Sequence, residues 1–206
     1  MVLYSDPEEC RDAREPQRRK YVSPAEKIRK LQEKNAALTG VHAVEAAREV
    51  ALRRLDSHAA SRAQLREAIL SRGFSQEIAE EVLDRLESVG LIDDAAYARA
   101  VVSSAFTLSG KVGRALVEDL RRKGVDENNI ASAIADISSE DQYEKACELA
   151  HKKKRTMLAL DTHVAQRRLM GMLARKGYPQ HIIHRVVQES LSSWTDHESE
   201  EYAYDD

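Results

Sequence analysis

His181 and His184 stand three residues apart, a spacing that sets two imidazoles on one helical face where they could share a metal ion. Two ligands do not close a zinc site, and no third is evident. His42, His58, His151, His163 and His197 are scattered, and Cys10 and Cys147 are far apart, with neither CxxC nor HExxH in the chain. Gly110-Lys111-Val112-Gly113-Arg114 has the composition of a phosphate loop, but GxxxxGK[ST] spacing and a preceding strand are both missing. It reads as a loop leading into a helix. Asp93-Asp94 could hold a cation or move a proton, yet aspartate at a helix start is first of all a cap. These types and spacings assign no catalytic residue, no metal site and no cofactor.

The remaining chemistry is that of clustered cations. Arg62, Arg66 and Arg72 fall on one predicted helix, and Lys111, Arg114, Arg121, Arg122 and Lys123 on or beside a second. Arg167, Arg168, Arg175 and Lys176 fall on a third, preceded by the run Lys152-Lys153-Lys154-Arg155. Arg114 and Arg121 are seven apart, as are Arg168 and Arg175, so each pair shares a face. Gly171 lies between the latter two, where a glycine costs ~1 kcal/mol against alanine and lets another molecule approach closely. Any one of these residues is adequately explained as a solvated helix face or a charge complementing the helix dipole. Recurrence at matching places argues for a basic surface that meets an anionic partner.

The elements that carry these cations repeat. Arg72-Gly73-Phe74, Lys123-Gly124-Val125 and Lys176-Gly177-Tyr178 are equivalent, and apolar residues precede each glycine by eight and four positions: Leu65 and Ile69, Leu116 and Leu120, Leu169 and Leu173. Ile78 and Val82, Ile130 and Ile134, Ile182 and Val186 follow. A repeat of this period builds a modular array. Ser61 with Gln64 makes a capping box, Ser75 and Asp93 cap further helices, and Pro179 suits a first helical turn. Glycine just past a helix takes the left-handed conformation, and Phe74, Leu91, Val125 and Tyr178 are placed to pack back on the last turn. No stretch alternates with strand period.

The expectation is therefore an all-α array of three tandem three-helix repeats, helix-turn-helix-like, with an extra N-terminal helix. Residues 1–43 form a charged extension with a short helix near 24–38, started by Ser23-Pro24. The repeats span 44–91, 92–138 and 139–193, with the last helix ending near Leu191. Val164, Leu169, Met172 and Leu173 form most of the buried stripe of the third middle helix, and Trp194 anchors packing. Residues 1–22 and the acidic tail 194–206 are expected to be disordered.

Charge supports this division. The chain carries 32 Lys and Arg against 35 Asp and Glu, a net charge of −3. Six of the acids (Asp196, Glu198, Glu200, Glu201, Asp205, Asp206) lie in the tail, which has no Lys or Arg. Without the tail the sign of the net charge reverses. Two isolated cysteines suit a reducing cytoplasm, and no apolar run is long enough for a membrane span.

Four segments together resemble the RecX family of bacterial regulatory proteins: Ala51-Leu52-Arg53-Arg54-Leu55 leading to Ser61-Arg62-Ala63-Gln64-Leu65; Arg72-Gly73-Phe74; Gly90-Leu91-Ile92-Asp93-Asp94 with Tyr97-Ala98; and Gly113-Arg114 through Leu120-Arg121-Arg122-Lys123-Gly124-Val125. Leu173-Ala174-Arg175-Lys176-Gly177-Tyr178 repeats the pattern, and the resemblance covers about 44–191. It implies an elongated, curved array of these repeats, and a non-enzymatic, monomeric regulator of the RecA recombinase, bound in the groove of the RecA–DNA filament. Such a regulator inhibits recombinase, ATPase and co-protease activity, and so modulates homologous recombination, DNA repair and the SOS response. It attributes binding to a basic face spread over the repeats, here the cations named above, with DNA as a further contact. The alternative is a helix-turn-helix-like protein acting directly on duplex DNA.

Overall fold

The computed structural model describes residues 23–157 and 160–201, with side chains described as far as Ser190. The segment 1–22, with Cys10, the side chains of the acidic tail and Trp194 lie outside the described residues. Each repeat holds three helices. The first has α2 (Gly40–Ser57), α3 (Arg62–Leu70) and α4 (Gln76–Ser88). The second has α5 (Asp94–Ser104), a π-helical turn (Ala105–Ser109), α6 (Gly113–Arg122) and α7 (Glu127–Ala135). The third has α8 (Ser139–Lys154), α9 (Thr162–Arg175) and α10 (Gln180–Glu201), and α1 (Pro24–Ala36) precedes all three. Among the described residues there is no strand, and no helix is long and apolar enough to cross a membrane.

The helix starts follow from the caps. Ser61 accepts from the Gln64 backbone N–H while the Gln64 side chain accepts from the Ser61 N–H, closing the predicted box. Ser75 accepts from the Ile78 N–H and Asp93 from the Ala96 N–H. At the other ends, the N–H groups of Leu91, Val125 and Tyr178 reach back to the carbonyls of Leu86, Leu120 and Leu173 past left-handed glycines. Phe74, Val125 and Tyr178 are buried as expected. Leu91 is not, being 51% exposed: Ile92, one residue on, takes the place in the core of the first repeat. The last helix continues past Leu191 to Glu201.

Each repeat has its own core. Leu65, Ile69, Val82 and Leu83 are central to the first; Leu116, Leu120 and Ile130 to the second; Leu169, Leu173, Ile183 and Val186 to the third. Val164 and Met172 depart from expectation. Val164 is 42% exposed and Met172 only partly buried, because Ala165, Leu169 and Leu173 already fill the inward face of α9.

The middle helices meet end to end. The start of α3 meets the end of α6: Ser61 donates its hydroxyl to the Lys123 carbonyl. A Cβ placed on Gly124 would lie 2.3 Å from that of Ala63. The start of α6 meets the end of α9: the Val112 N–H donates to the Lys176 carbonyl at 2.9 Å, and a Cβ on Gly177 would lie 2.1 Å from the Val112 oxygen. The Lys176 ammonium donates to the Ser109 carbonyl. The end of α3 in turn meets α1, whose Gln32 and Asn35 amides donate to the Ser71 and Arg72 carbonyls at 2.9 and 2.8 Å. These partners satisfy carbonyls that a helix end leaves open. The repeated glycines thus end helices and also admit the preceding module.

Candidate interaction groove on the third repeat

Asp93 and Asp94 turn out to act on two helices. Asp93 caps its own helix α5, while Asp94 accepts from the Arg62 backbone N–H at 2.8 Å, at the start of α3 in the first repeat. Tyr97 donates its hydroxyl to the Gln64 side chain at 3.0 Å, and Ile92 is buried in the first core. The Leu-Ile-Asp-Asp-x-x-Tyr-Ala segment is therefore the joint between repeats one and two. Burial pushes the Asp94 carboxyl above the usual carboxylate range, against the Arg62 N–H that favours its charge.

The candidate cations divide by what they touch. Arg62 reaches Glu80 at 2.8 Å and Asp84 at 2.6 Å, and also Glu87, while Arg66 pairs with Glu80. These three acids, spaced by four and three, form one face of α4 that is complementary to α3. The Arg66 guanidinium is the largest influence holding Glu80 down at about 2. Lys111 and Arg122 both pair with Asp119, Arg114 with Glu118 at 2.9 Å, Arg121 with Glu127 at 2.7 Å, and Lys152 with Glu148 at 2.6 Å. Lys123 sits over the Tyr97 ring, and Lys176 lies in the joint between repeats two and three, where burial lowers its affinity for a proton. Lys154 ends α8, and Arg72 lines a hollow between α2 and α3 with Arg53 and Arg54.

Arg167, Arg168, Arg175 and Lys153 stand apart. All four are exposed and, among the described residues, none forms an ion pair. They line one open groove of about 790 Å³ whose floor is Val164, Gly171 and Met172, with His163 at one end. Gly171 has helical backbone, and a Cβ there would meet only the mobile Arg175 guanidinium at 3.3 Å. Neither backbone conformation nor packing requires a glycine at this position. Arg168, Gly171 and Arg175, which sequence spacing places on one face, line this one groove. His163 and Lys153 were not assigned to that strip: His163 lies one turn before Arg167, a visible signal, whereas Lys153 comes from α8 and depends on tertiary packing. His181 and His184 are exposed on α10, with His184 against the Gln180 amide at 2.9 Å. No group of three or more metal-capable side chains converges among the described residues.

An array of three-helix modules with buried polar joints and an open cationic groove defines a helical-repeat protein. The comparisons place it further. Residues 47–86, 93–134 and 140–187 match in order the models for the first, second and third three-helix domains of RecX. The "Regulatory protein RecX" of Streptomyces coelicolor is 44% identical over 148 residues, covering 72% of this chain and 79% of the relative. That of Mycobacterium avium is 41% identical over 150 residues, covering 72% and 87%. The crystal structure of RecX from Lactobacillus salivarius superposes with a TM-score of 0.66 at 24% identity, covering 71% of this chain and 96% of that one. A second RecX crystal structure gives 0.65 at 24% identity, covering 69% and 72%. The chain belongs to the RecX family.

Proposed function

We propose that this protein is a non-enzymatic, cytoplasmic regulator that binds the RecA recombinase and its DNA filament as a monomer and inhibits its recombinase, ATPase and co-protease activities. Family membership supports this class of partner. The observation that carries the site is the α9 groove, where Arg167, Arg168 and Arg175 make no ion pair among the described residues and flank an open floor. An anionic partner meeting these arginines displaces water and counterions only, with no existing ion pair to break. The cations of repeats one and two contribute a weaker general field, since most already hold a carboxylate.

Direct reading of duplex DNA by a helix-turn-helix fares worse. The helix in the recognition position of the first repeat is α4, and its Glu80, Asp84 and Glu87 face Arg62 and Arg66. An acidic helix bound to its neighbour is repelled by a phosphate-lined groove.

The test compares Arg168→Ala/Arg175→Ala with Arg114→Ala/Arg121→Ala in RecA's DNA-dependent ATP hydrolysis. The first pair is expected to raise the inhibitory concentration on the order of tenfold, ~1.4 kcal/mol. The second pair is expected to change it by much less. Equal effects, or none, with helicity intact would remove the groove from the binding surface.

A further inference from the structure

The open face of α9 has a counterpart in each of the other repeats. Counted back from the three equivalent glycines, Arg167 corresponds to Arg114 and Ala63, Arg168 to Ala115 and Gln64, and Gly171 to Glu118 and Glu67. In repeats one and two the next module docks at these places. A Cβ on Gly124 would run into Ala63, and Gln64 accepts from the Tyr97 hydroxyl at 3.0 Å. A Cβ on Gly177 would lie 2.8 Å from the Ala115 nitrogen. The groove is thus the face of the third middle helix that the first two use as a joint. Among the described residues no further module covers it.

What docks at the other two joints is the C-terminal end of a helix. Its open carbonyl meets a donor twelve positions before the glycine: the Ser61 hydroxyl donates to the Lys123 carbonyl, and the Val112 N–H to that of Lys176. The same position on α9 is Ala165, whose N–H already donates to the Asp161 carbonyl at 2.9 Å. α9 has 14 residues against 9 and 10 for α3 and α6, and its added first turn takes up that donor. Arg167 and Arg168 offer guanidinium donors one turn further on. Their charge complements the negative end of a helix dipole. Gly171 stands where Glu67 and Glu118 stand in the other repeats, so an acid is absent and the floor is open to a close backbone.

A second copy of this chain does not supply the missing end. In the order of the joints that end would be the end of α3, whose Ser71 and Arg72 carbonyls already accept from Gln32 and Asn35 of α1. A phosphodiester strand meets the cations but leaves the apolar floor of Val164 and Met172 uncovered.

We propose that the α9 groove receives the C-terminal turn of an α-helix from a partner protein. Its open carbonyls and a carboxylate lie on Arg167, Arg168 and Arg175, and an apolar side chain covers Val164 and Met172. The partner then makes the joint that a further repeat would make. The inference rests on the reading of this groove as the binding surface, and it adds which part of the partner the groove holds.

In the test, Val164 or, in a second variant, Lys153 of the full chain is replaced by the photo-cross-linking benzoylphenylalanine. Both side chains are exposed at the groove, so at least one variant is expected to keep its helicity and its inhibition of RecA's DNA-dependent ATP hydrolysis. The inhibiting variant is irradiated on the RecA–DNA filament, and the attachment point is read by mass spectrometry. Attachment is expected within the last turn of a RecA helix, in a yield that falls severalfold when Arg168→Ala and Arg175→Ala are added. Attachment to DNA, to a second copy of this chain, or to a strand, loop or helix middle of RecA would overturn the inference. So would inhibition without attachment from either position. A native chain that leaves hydrolysis uninhibited removes the functional reading itself, whereas inhibition with the wrong attachment removes only this inference.

Discussion

Gly171 allows the proposed function to be tested separately from stability at one residue. Its φ is unexceptional and a Cβ there meets only the Arg175 side chain. Alanine should therefore gain up to ~1 kcal/mol of helix stability. If a partner approaches the α9 backbone at this point, the same methyl group obstructs it. Gly171→Ala is expected to melt higher and inhibit less; a variant that melts higher and inhibits equally would show that the close approach is unused. Glu80 makes the opposite case, a charged residue serving structure. Its carboxyl is held at about 2, chiefly by the Arg66 guanidinium. A folded-state value below the unfolded one contributes stability that is present above pH ~4.5 and lost as pH falls towards 2. Urea melts between pH 5 and 2 should show this loss in the native protein and a shallower one in Glu80→Gln. The recurrence of basic residues was readable from the chain, and so was the Arg168–Arg175 strip. The local pairing of Arg114 with Glu118, four residues on, was readable too, whereas the occupation of Arg62 and Arg66 was not, because the carboxylates answering them lie on a different helix. The legible signal was the Glu80, Asp84, Glu87 spacing, and its meaning depended on knowing that α4 packs against α3.

At the scale of elements, the repeated glycine has two roles that local sequence merges into one. Helix termination by a left-handed residue is readable from a glycine followed by an apolar residue. Close approach of another module is not, since Ala63 and Gly124, or Val112 and Gly177, are distant in sequence. Gly90 and Gly177 separate the roles. Both have positive φ, 73° and 91°. A Cβ on Gly90 meets nothing within 4 Å, whereas on Gly177 it meets the Val112 oxygen at 2.1 Å and the Ala115 nitrogen at 2.8 Å. Gly90→Ala is expected to cost ~1–2 kcal/mol, the left-handed penalty alone. Gly177→Ala should cost clearly more in urea unfolding and loosen the joint between repeats two and three. Equal costs would show that the joint relaxes freely. The Asp93-Asp94 pair follows the same pattern: the cap on α5 was legible, and the second cap across the joint on α3 was not.

Across the whole molecule, three small cores are linked by polar and glycine-mediated joints that align α9, α6 and α3 end to end. Charge is distributed unequally, largely neutralised by internal pairs in repeats one and two and open on α9 in repeat three. The charge contribution to any association through such a surface shrinks as the screening length falls from ~10 Å at 0.1 M salt towards ~3 Å at 1 M. The direct measurement is a titration of this protein into RecA's DNA-dependent ATP hydrolysis at 50 mM and 300 mM salt. The account predicts inhibition at both, with a higher inhibitory concentration at 300 mM. Uninhibited hydrolysis at either salt concentration would contradict it.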